Sequence, residues 1–321
     1  MKRPFVAVIG AGQVGATSAQ RLIEKNFASV VLLDVVDGFA KGKALDLMQA
    51  APIEKHEREV FGTTDYDDIA GADIVVITAG LARKPGMSRE DLLMANAKII
   101  RSICDNLKRV TPRSIVITVT NPLDIMTHAV FKLTGFPKDR VFGMAGVLDS
   151  ARMRYFIAQK TGRKPHEVSA MVLGGHGDLM VPVMSQVRIA GKPLSGLSEA
   201  EIQEIIQQTR QGGAEIVSLL KTGSAFYAPA SSVAEMVASI LEDRGETLPV
   251  CAYCTGEYGI RNTYCGVPAK LGRKGLLSIV EIPLTDGERR ALLSSAEKVR
   301  KGVEELETLS MSHPRAGGDP G

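Results

Sequence analysis

Pro4-Phe-Val-Ala-Val-Ile9 is followed at once by Gly10-Ala-Gly-Gln-Val-Gly15 and then by a helical stretch from Ala16 to Asn26. The apolar run predicts a buried strand, so the three glycines occupy the turn between a strand and a helix. In that setting the first glycine permits the tight turn, the second lets a pyrophosphate approach the backbone, and the third packs helix against strand. The amide donors and positive dipole of the helix N-terminus complete a site for phosphate.

A second apolar run, Val30-Val-Leu-Leu-Asp34, ends in a carboxylate 19 residues after Gly15. This is close to the spacing at which an acid contacts the ribose hydroxyls of a dinucleotide. Because a carboxylate would repel a 2′-phosphate, the sequence favours NAD over NADP. The alternative, a structural turn with Asp34 as a strand-end cap, is disfavoured because both features occur together.

Strand-like and helix-like segments alternate through residues 1–145, with further apolar strands expected at Asp73–Thr78 and Arg113–Val119. Strands that are buried on both faces and separated by helices predict a parallel sheet of the Rossmann type. Ligands bind such sheets beyond the carboxyl ends of the strands. The glycine turn, Asp34, Arg83 and Asn121 all fall at those ends.

Residues 146–309 are less regular and predict a mixed α+β domain, so the expected fold class is α/β with a second, α+β domain. Residues 310–321 combine prolines and glycines with little apolar content, which predicts a disordered tail. The elements expected in the second half are strands at Val168–Leu173, Val181–Ile189 and Leu277–Ile282 and helices at Glu199–Gln211, Ser231–Leu241 and Asp286–Glu305.

Composition argues against several classes of protein. The net charge of +3 is too small to indicate binding to nucleic acid, and the chain has no Trp on which bases could stack. No apolar run reaches the length of a membrane span. We therefore expect a cytoplasmic globular protein. The four cysteines are expected to be reduced, and Cys251-Ala-Tyr-Cys254 reads as a strand without a second pair or a nearby His, so no metal is expected.

Two arginines six residues apart, Arg83 and Arg89, stand between an apolar strand and an amphipathic helix. Pro85 and Gly86 predict a loop around Arg83, whereas Ser88 and Asp91 resemble a capping box that places Arg89 in the first turn of a helix. A loop arginine beside a fixed one can close over an anionic ligand. The alternative is a pair of solvated surface arginines.

Gly174-Gly-His176-Gly-Asp178 sets one imidazole among glycines after a strand, where a ligand can approach the backbone. Asp149 and Arg152 lie three residues apart on one face of a predicted helix, so both can point to the same spot. The alternative for Asp149 and Arg152 is a simple intrahelical ion pair. The remaining histidines, His56, His128, His166 and His313, are interpreted as surface or packing residues.

The chain resembles the lactate/malate dehydrogenases, and within them the lactate-dehydrogenase-like malate dehydrogenases, over about residues 4–308. Several independent motifs in one order are far more specific than any single motif. The segments that carry the resemblance are Gly10–Gly15, Ala82–Arg89, Val119–Asp124, Gly146–Arg152, Gly174–Asp178 and Gly256–Gly259.

The resemblance implies an NAD-dependent oxidation of malate to oxaloacetate, as in the tricarboxylic acid cycle, by a homodimer or homotetramer that associates through the helix containing Gly42–Asp46. It also implies a cis peptide between Asn121 and Pro122. The resemblance implies that His176 is the proton acceptor, that Asp149 is the partner of His176, and that Arg152 anchors a carboxylate of the substrate. It implies that Arg89 polarises the reacting carbonyl group and that Arg83 determines the substrate specificity. Asn121 and Ser224 are implied substrate contacts. The implied cofactor contacts are Gly10, Gly12, Gln13, Val14, Gly15, Asp34, Asn96, Val119 and Asn121.

Three alternatives stay open at this point. Another 2-hydroxy-acid dehydrogenase would share everything except the partner of Arg83. A dinucleotide-binding regulatory or structural protein should lack one catalytic group, whereas His176, Asp149, Arg152 and Arg89 are all present. A redox protein that uses Cys251 and Cys254 would require a bound metal.

Overall fold

The computed structural model describes residues 4–81 and 87–312, and its first half is built on a six-stranded parallel sheet. Neighbouring strands of this half pair in parallel in the order 3-2-1-4-5-6, as in the Rossmann fold. Its elements are β1 (Phe5–Ile9), α1 (Gln13–Glu24), β2 (Ser29–Leu33), α2 (Phe39–Glu54), β3 (Val60–Thr63), β4 (Ile74–Ile77), α3 (Arg89–Val110), β5 (Ile115–Thr118), α4 (Leu123–Thr134) and β6 (Val141–Gly143).

The strands are apolar throughout because both faces of the sheet are covered. In β1, Val6 and Val8 join one buried cluster whereas Ala7 and Ile9 join another, so alternate side chains enter separate cores. Residues 74–77 of β4 divide between the same two clusters in the same way. This arrangement confirms the prediction of a sheet with helices on both sides.

The second half is a mixed α/β unit whose last three strands extend the same sheet. β12, β13 and β14 are antiparallel and join the parallel sheet through β6, giving nine strands in all. The elements are α5 (Gly146–Thr161), β7 (Val168–Ser169), β8 (Val172–Gly174), β9 (Met180–Pro182), β10 (Arg188–Ile189), β11 (Lys192–Pro193), α6 (Glu199–Leu220), α7 (Tyr227–Leu241), β12 (Thr247–Thr255), β13 (Arg261–Gly272), β14 (Gly275–Ile279) and α8 (Asp286–Ser312).

Several predicted boundaries in this half are wrong. The run at residues 168–173 is divided between β7 and β8, which belong to different small sheets, and residues 181–189 are interrupted by a 3₁₀ turn at Met184–Gln186. α6 continues nine residues beyond Gln211. α8 runs through Ser312, into the segment expected to be a tail, and the rest of that segment lies outside the described residues.

Within residues 4–81 and 87–312, no helix is both long enough and apolar enough to cross a lipid bilayer.

Candidate active site

The glycine turn after β1 gives each glycine a different task. Gly10 has a φ of +101°, and a Cβ there would lie 2.6 Å from the Ala79 nitrogen. At Gly15 a Cβ would lie 1.8 Å from the Gly10 oxygen, so only glycine lets α1 pack against the turn. At Gly12 a Cβ would meet nothing within 4 Å. The turn and packing roles predicted for Gly10 and Gly15 are therefore confirmed, and the backbone at Gly12 faces open space.

The carboxylate of Asp34 lies beside this turn. Its Oδ2 accepts a hydrogen bond of 2.7 Å from the Ala11 amide, and its Oδ1 accepts one of 3.1 Å from the Val36 amide. Gly12 is the N-cap of α1, and among the described residues no side chain caps the helix, so the amides of its first turn are available to an anion. Open backbone, free helix amides and an acid at the end of β2 together fit a dinucleotide.

Asn96 on α3 joins the segment after β4 to the segment after β5. This buried amide donates to the oxygens of Asn121 at 2.7 Å and Leu81 at 3.2 Å, and its Oδ1 accepts from the Leu81 amide at 2.7 Å. Its described bonds therefore go to the backbone, and a contact of Asn96 with a cofactor stays a prediction. The Asn121-Pro122 peptide is cis, as the resemblance implied. Asn121 is exposed, and Val119 is half-buried.

One carboxylate connects the imidazole to an arginine. Asp149 lies in the first turn of α5, where negative charge is favoured by the helix dipole, and only 2% of its side chain is exposed. Its Oδ2 lies 2.8 Å from Nδ1 of His176, and its Oδ1 accepts a hydrogen bond of 3.3 Å from Nη1 of Arg152. The side chain of His176 keeps 18% of its surface exposed, so a small molecule can reach the ring.

The surroundings of His176 favour its protonated form. Burial lowers the pKa of the ring, and Arg152 lowers it further, but the charge and hydrogen bond of Asp149 and the charge of Asp124 outweigh them. The net effect is a pKa above the usual 6.5. A carboxylate at Nδ1 fixes the tautomer with the proton on Nδ1, which leaves the lone pair of Nε2 available to a hydroxyl group.

Arg152 pairs with Asp149 but does not use all of its hydrogen-bond donors in that pair. Its bond to Asp149 is long, and among the described residues its buried Nε has no hydrogen-bond partner. A buried guanidinium nitrogen without an acceptor is costly unless a ligand supplies one. α6 passes close to this group at a glycine pair, and a Cβ at Gly213 would lie 3.4 Å from Nη2. The intrahelical ion pair, the alternative given from the sequence, is therefore present, and the role of Arg152 as a carboxylate anchor stays a prediction.

The other predicted substrate residues are less tightly placed. Arg89 is the first residue of α3 and lies within the predicted capping box of Ser88 and Asp91, which is present. Its side chain is exposed, and among the described contacts it is not joined to His176. Ser224 is exposed in the turn between α6 and α7. Arg83 lies outside the described residues, so its predicted role remains an expectation from sequence.

Two residues next to His176 were not singled out from the sequence. Asp124 in α4 accepts a 2.8 Å hydrogen bond from the His176 amide, and Ser295 in α8 accepts one of 2.8 Å from the Gly175 amide. An acid in the first turn of a largely buried helix, three residues after Asn121, was a usable signal for Asp124. Ser295 carried no such signal, because only the tertiary fold brings α8 to this loop.

The cysteines do not form a reactive pair. Cys251 and Cys254 lie three apart on β12, so their side chains point to opposite faces of the strand. Burial raises the pKa of the Cys254 thiol to about 12 and that of Cys251 well above its usual value, which suppresses the thiolate needed for redox or metal chemistry. Within the described part of the chain no group of three His, Cys, Asp or Glu side chains could hold a metal ion.

A glycine turn that fits a dinucleotide, on a parallel sheet with the strand order 3-2-1-4-5-6, is typical of proteins that bind a nicotinamide cofactor. Here that half of the chain is joined to a second unit that carries a His–Asp pair, as a dehydrogenase requires. Residues 5–143 match the model of the lactate/malate dehydrogenase NAD binding domain, and residues 146–309 match that of the lactate/malate dehydrogenase alpha/beta C-terminal domain. The chain therefore belongs to the lactate/malate dehydrogenase family. It is an NAD-dependent oxidoreductase.

Individual relatives cover nearly the whole chain. A malate dehydrogenase of Trichormus variabilis is 52% identical over 94% of this chain and 93% of its own length. The crystal structure of Cryptosporidium parvum malate dehydrogenase is 42% identical with a TM-score of 0.93, covering 95% of this chain and 99% of that one. The lactate dehydrogenase of the same organism, complexed with lactic acid and NAD, is 40% identical with a TM-score of 0.92, covering 96% and 99%. The backbone thus resembles enzymes named for lactate and for malate almost equally.

Proposed function

We propose that the protein is a malate dehydrogenase, which reversibly oxidises (S)-malate to oxaloacetate with NAD. The observation that carries the proposal is the carboxylate of Asp149, hydrogen-bonded at once to the imidazole of His176 and to the guanidinium of Arg152. This arrangement sets a proton acceptor beside an anchor for a carboxylate, and a 2-hydroxy acid needs both. The relatives named malate dehydrogenase favour a dicarboxylate over a monocarboxylate.

His176 is the proposed proton acceptor. Oxidation of a 2-hydroxy acid requires the hydroxyl group to lose a proton, and an imidazole whose Nδ1 proton is held by Asp149 presents Nε2 to receive it. The resulting imidazolium is stabilised by the same carboxylate. In the reverse direction the imidazolium returns the proton to the oxygen of oxaloacetate.

Arginines bind the substrate in this proposal. Arg152 holds the C1 carboxylate, because a planar guanidinium can form two parallel hydrogen bonds that lysine cannot copy. Arg89 stabilises the negative charge that grows on the carbonyl oxygen during reduction. Arg83 binds the second carboxylate and so selects a dicarboxylate. Asn121 and Ser224 are further substrate contacts.

The residues proposed to hold NAD are those of the glycine turn, the first turn of α1 and the ends of β2 and β5. Gly12, Gln13 and Val14 bind phosphate with backbone amides, whereas Asp34 accepts from the ribose hydroxyls. When bound, NAD accepts the hydride from the substrate. Residues 1–145 act as the cofactor-binding unit and residues 146–309 as the catalytic unit.

A second copy of the chain is the proposed partner, with α2 at the interface. Phe39, Leu45 and Ile53 of α2 and Phe61 of β3 are large apolar side chains between 42% and 79% exposed. Apolar groups collected in this way are typical of surfaces that are covered by another chain. Light scattering should report a smaller mass for Leu45→Glu/Ile53→Glu than for the surface variant Lys298→Glu on α8, and equal masses would oppose the proposed interface.

The direct test of the activity follows NADH absorbance with oxaloacetate and with pyruvate. We expect rapid NADH oxidation with oxaloacetate and little with pyruvate. His176→Asn should abolish turnover while NADH still binds, as measured by fluorescence, and retained turnover would remove His176 from the role of proton acceptor.

A dehydrogenase for another 2-hydroxy acid is the second candidate, favoured by the TM-score of 0.92 to a lactate dehydrogenase. It shares the need for His176, Asp149 and Arg152 and differs in what Arg83 contacts. Preference for pyruvate over oxaloacetate in the same assay would select it. Absence of turnover with every 2-oxo acid, with NADH still bound, would indicate a regulatory dinucleotide-binding protein.

A further inference from the structure

A second buried carboxylate lies below the His176 loop. Asp124 follows Leu123 in the first turn of α4 and is 5% exposed. Its Oδ2 accepts a hydrogen bond of 2.8 Å from the His176 amide, and its Oδ1 accepts one of 3.2 Å from the Cys251 thiol. Both oxygens are therefore engaged, and one of them is bonded to the backbone of the proposed proton acceptor itself.

The loop that carries His176 is held at adjacent amides by two side chains from different helices. Asp124 receives the His176 amide, and Ser295 of α8 receives the Gly175 amide at 2.8 Å. Ser295 also donates to the Leu179 oxygen at 2.7 Å, which closes the loop. Asp124 and Ser295 thus make equivalent backbone contacts and differ in that only Asp124 can carry charge.

Both oxygens of Asp124 accept hydrogen bonds, from the His176 amide and the Cys251 thiol, which is the pattern of a carboxylate. Burial raises the pKa of this carboxyl group above its usual value, and the hydrogen bonds from the His176 amide and the Cys251 thiol offset only part of that rise. In its ionised form Asp124 places a negative charge next to the His176 ring, where it raises the pKa of the imidazole. The charged or titratable groups that face the His176 loop are Asp149 and Arg152 of α5, Asp124 of α4 and Cys251 of β12, and Asp178 lies on the loop itself. The uncharged residues packed against the loop are Gly266 of β13 and Ser295 of α8.

We propose that Asp124 is a positioning residue for His176, which fixes the loop through the backbone amide and adds a second negative charge that favours the imidazolium. The inference rests on the proposed role of His176 as proton acceptor. Asp149 contacts Nδ1 of the His176 ring, whereas Asp124 accepts a hydrogen bond from the His176 backbone amide. Two carboxylates near one imidazole keep it protonated to a higher pH than one alone, so more of the enzyme carries the proton that the reductive direction requires.

Asp124→Asn tests this proposal, because the amide oxygen can still accept from the His176 backbone while the charge is lost. The pKa of His176 is measured by NMR of histidine-labelled enzyme, with the His176 signal identified among five histidines by its loss in His176→Asn. We expect the midpoint to fall by about one pH unit, as expected for loss of a nearby charge in a partly screened site. The pH profile of kcat/KM should move with it.

Ser295→Ala is the matched control, since it removes an equivalent backbone contact without changing charge. It should lower kcat while leaving the His176 midpoint where it is in the parent enzyme. An unchanged midpoint in Asp124→Asn, or an equal change in Ser295→Ala, would overturn the proposal. If Asp124→Asn does not fold, the same titration is made on Asp124→Ser, and an unchanged His176 midpoint in that variant would overturn the proposal. Because the NMR titration needs no turnover, it tests Asp124 even if the enzyme proves to act on a different substrate.

Discussion

Nδ1 of His176 lies 2.8 Å from Oδ2 of Asp149, and both groups are largely withdrawn from water. The other oxygen of the carboxylate is used by Arg152. A single acid therefore orients the group proposed to take the proton and the group proposed to hold the substrate. Because Asp149 stands on the first turn of α5, its position is fixed by the helix and not by a mobile loop.

Asp149→Asn should lower kcat by about 10³ to 10⁴, because a neutral amide neither fixes the tautomer of His176 nor stabilises its imidazolium. Since Asp149 raises the pKa of His176, the midpoint of the pH profile for malate oxidation should also move to lower pH. Steady-state kinetics across pH 5–9 measure both effects. Glu167→Gln, near the far end of α5, is the control, and a loss of less than tenfold in Asp149→Asn would contradict the proposed mechanism.

The Rossmann half was predictable because its strands are short apolar runs and its turn has a distinctive glycine spacing. β1, β2, β4 and β5 all lie where the sequence placed them, and Asp34 follows β2 directly. Local chemistry decides such elements. The capping box of Ser88 and Asp91 was visible for the same reason, since both partners are three residues apart.

The second half was less predictable because its elements depend on distant partners. β12 is hydrogen-bonded to β6 more than 100 residues earlier, and β13, the longest strand, had no prediction. α6 was expected to end at Gln211, and the two residues that follow, Gly212 and Gly213, weaken a helix. The helix continues because the glycine pair packs against Arg152 and Phe156, so tertiary contact overrides propensity. The contact between Asp124 and His176 was hidden for the same reason.

Gly12→Ala and Gly15→Ala should separate cofactor binding from folding. Gly12 has φ of −62° and open space beyond its Cα, so alanine fits the apo fold but intrudes where a pyrophosphate would approach. We expect NADH affinity to fall at least tenfold, about 1.4 kcal/mol, with little change in Tm. Gly15→Ala should lower Tm by several degrees, because its Cβ would lie 1.8 Å from a backbone oxygen. Fluorescence titration and calorimetry measure the two effects, and equal losses of Tm would contradict the division.

His128 should make the protein less stable in acid. It is buried among Phe131, Tyr253 and Tyr264, and burial, aided by Lys132, lowers its pKa from 6.5 to about 4. Because the unfolded state binds a proton first, the stability from neutral His128 is complete above about pH 6.5 and is lost as the pH falls toward 4. Between pH 7.5 and pH 5 the loss is about 2 kcal/mol.

Replacing this histidine by a residue that cannot be protonated removes that loss. Urea unfolding at pH 7.5 and pH 5 should show a free-energy difference about 2 kcal/mol smaller for His128→Phe than for the parent. His166→Gln, at an exposed position, should behave like the parent. Parallel pH dependences for His128→Phe and the parent would show that His128 is not buried in its neutral form.

Arg83→Gln should shift the substrate preference from oxaloacetate toward pyruvate. The two substrates differ in one carboxylate, and leaving a buried charge without its partner costs about 3–5 kcal/mol, so kcat/KM for oxaloacetate should fall by roughly two to four decades. Pyruvate has no second carboxylate to lose, so its kcat/KM should not fall. Lys84→Gln removes one positive charge from the same segment and is the matched control. If the ratio of the two kcat/KM values is the same in Arg83→Gln, Lys84→Gln and the parent, then general electrostatic attraction, and not a contact of Arg83 with the substrate, selects the dicarboxylate.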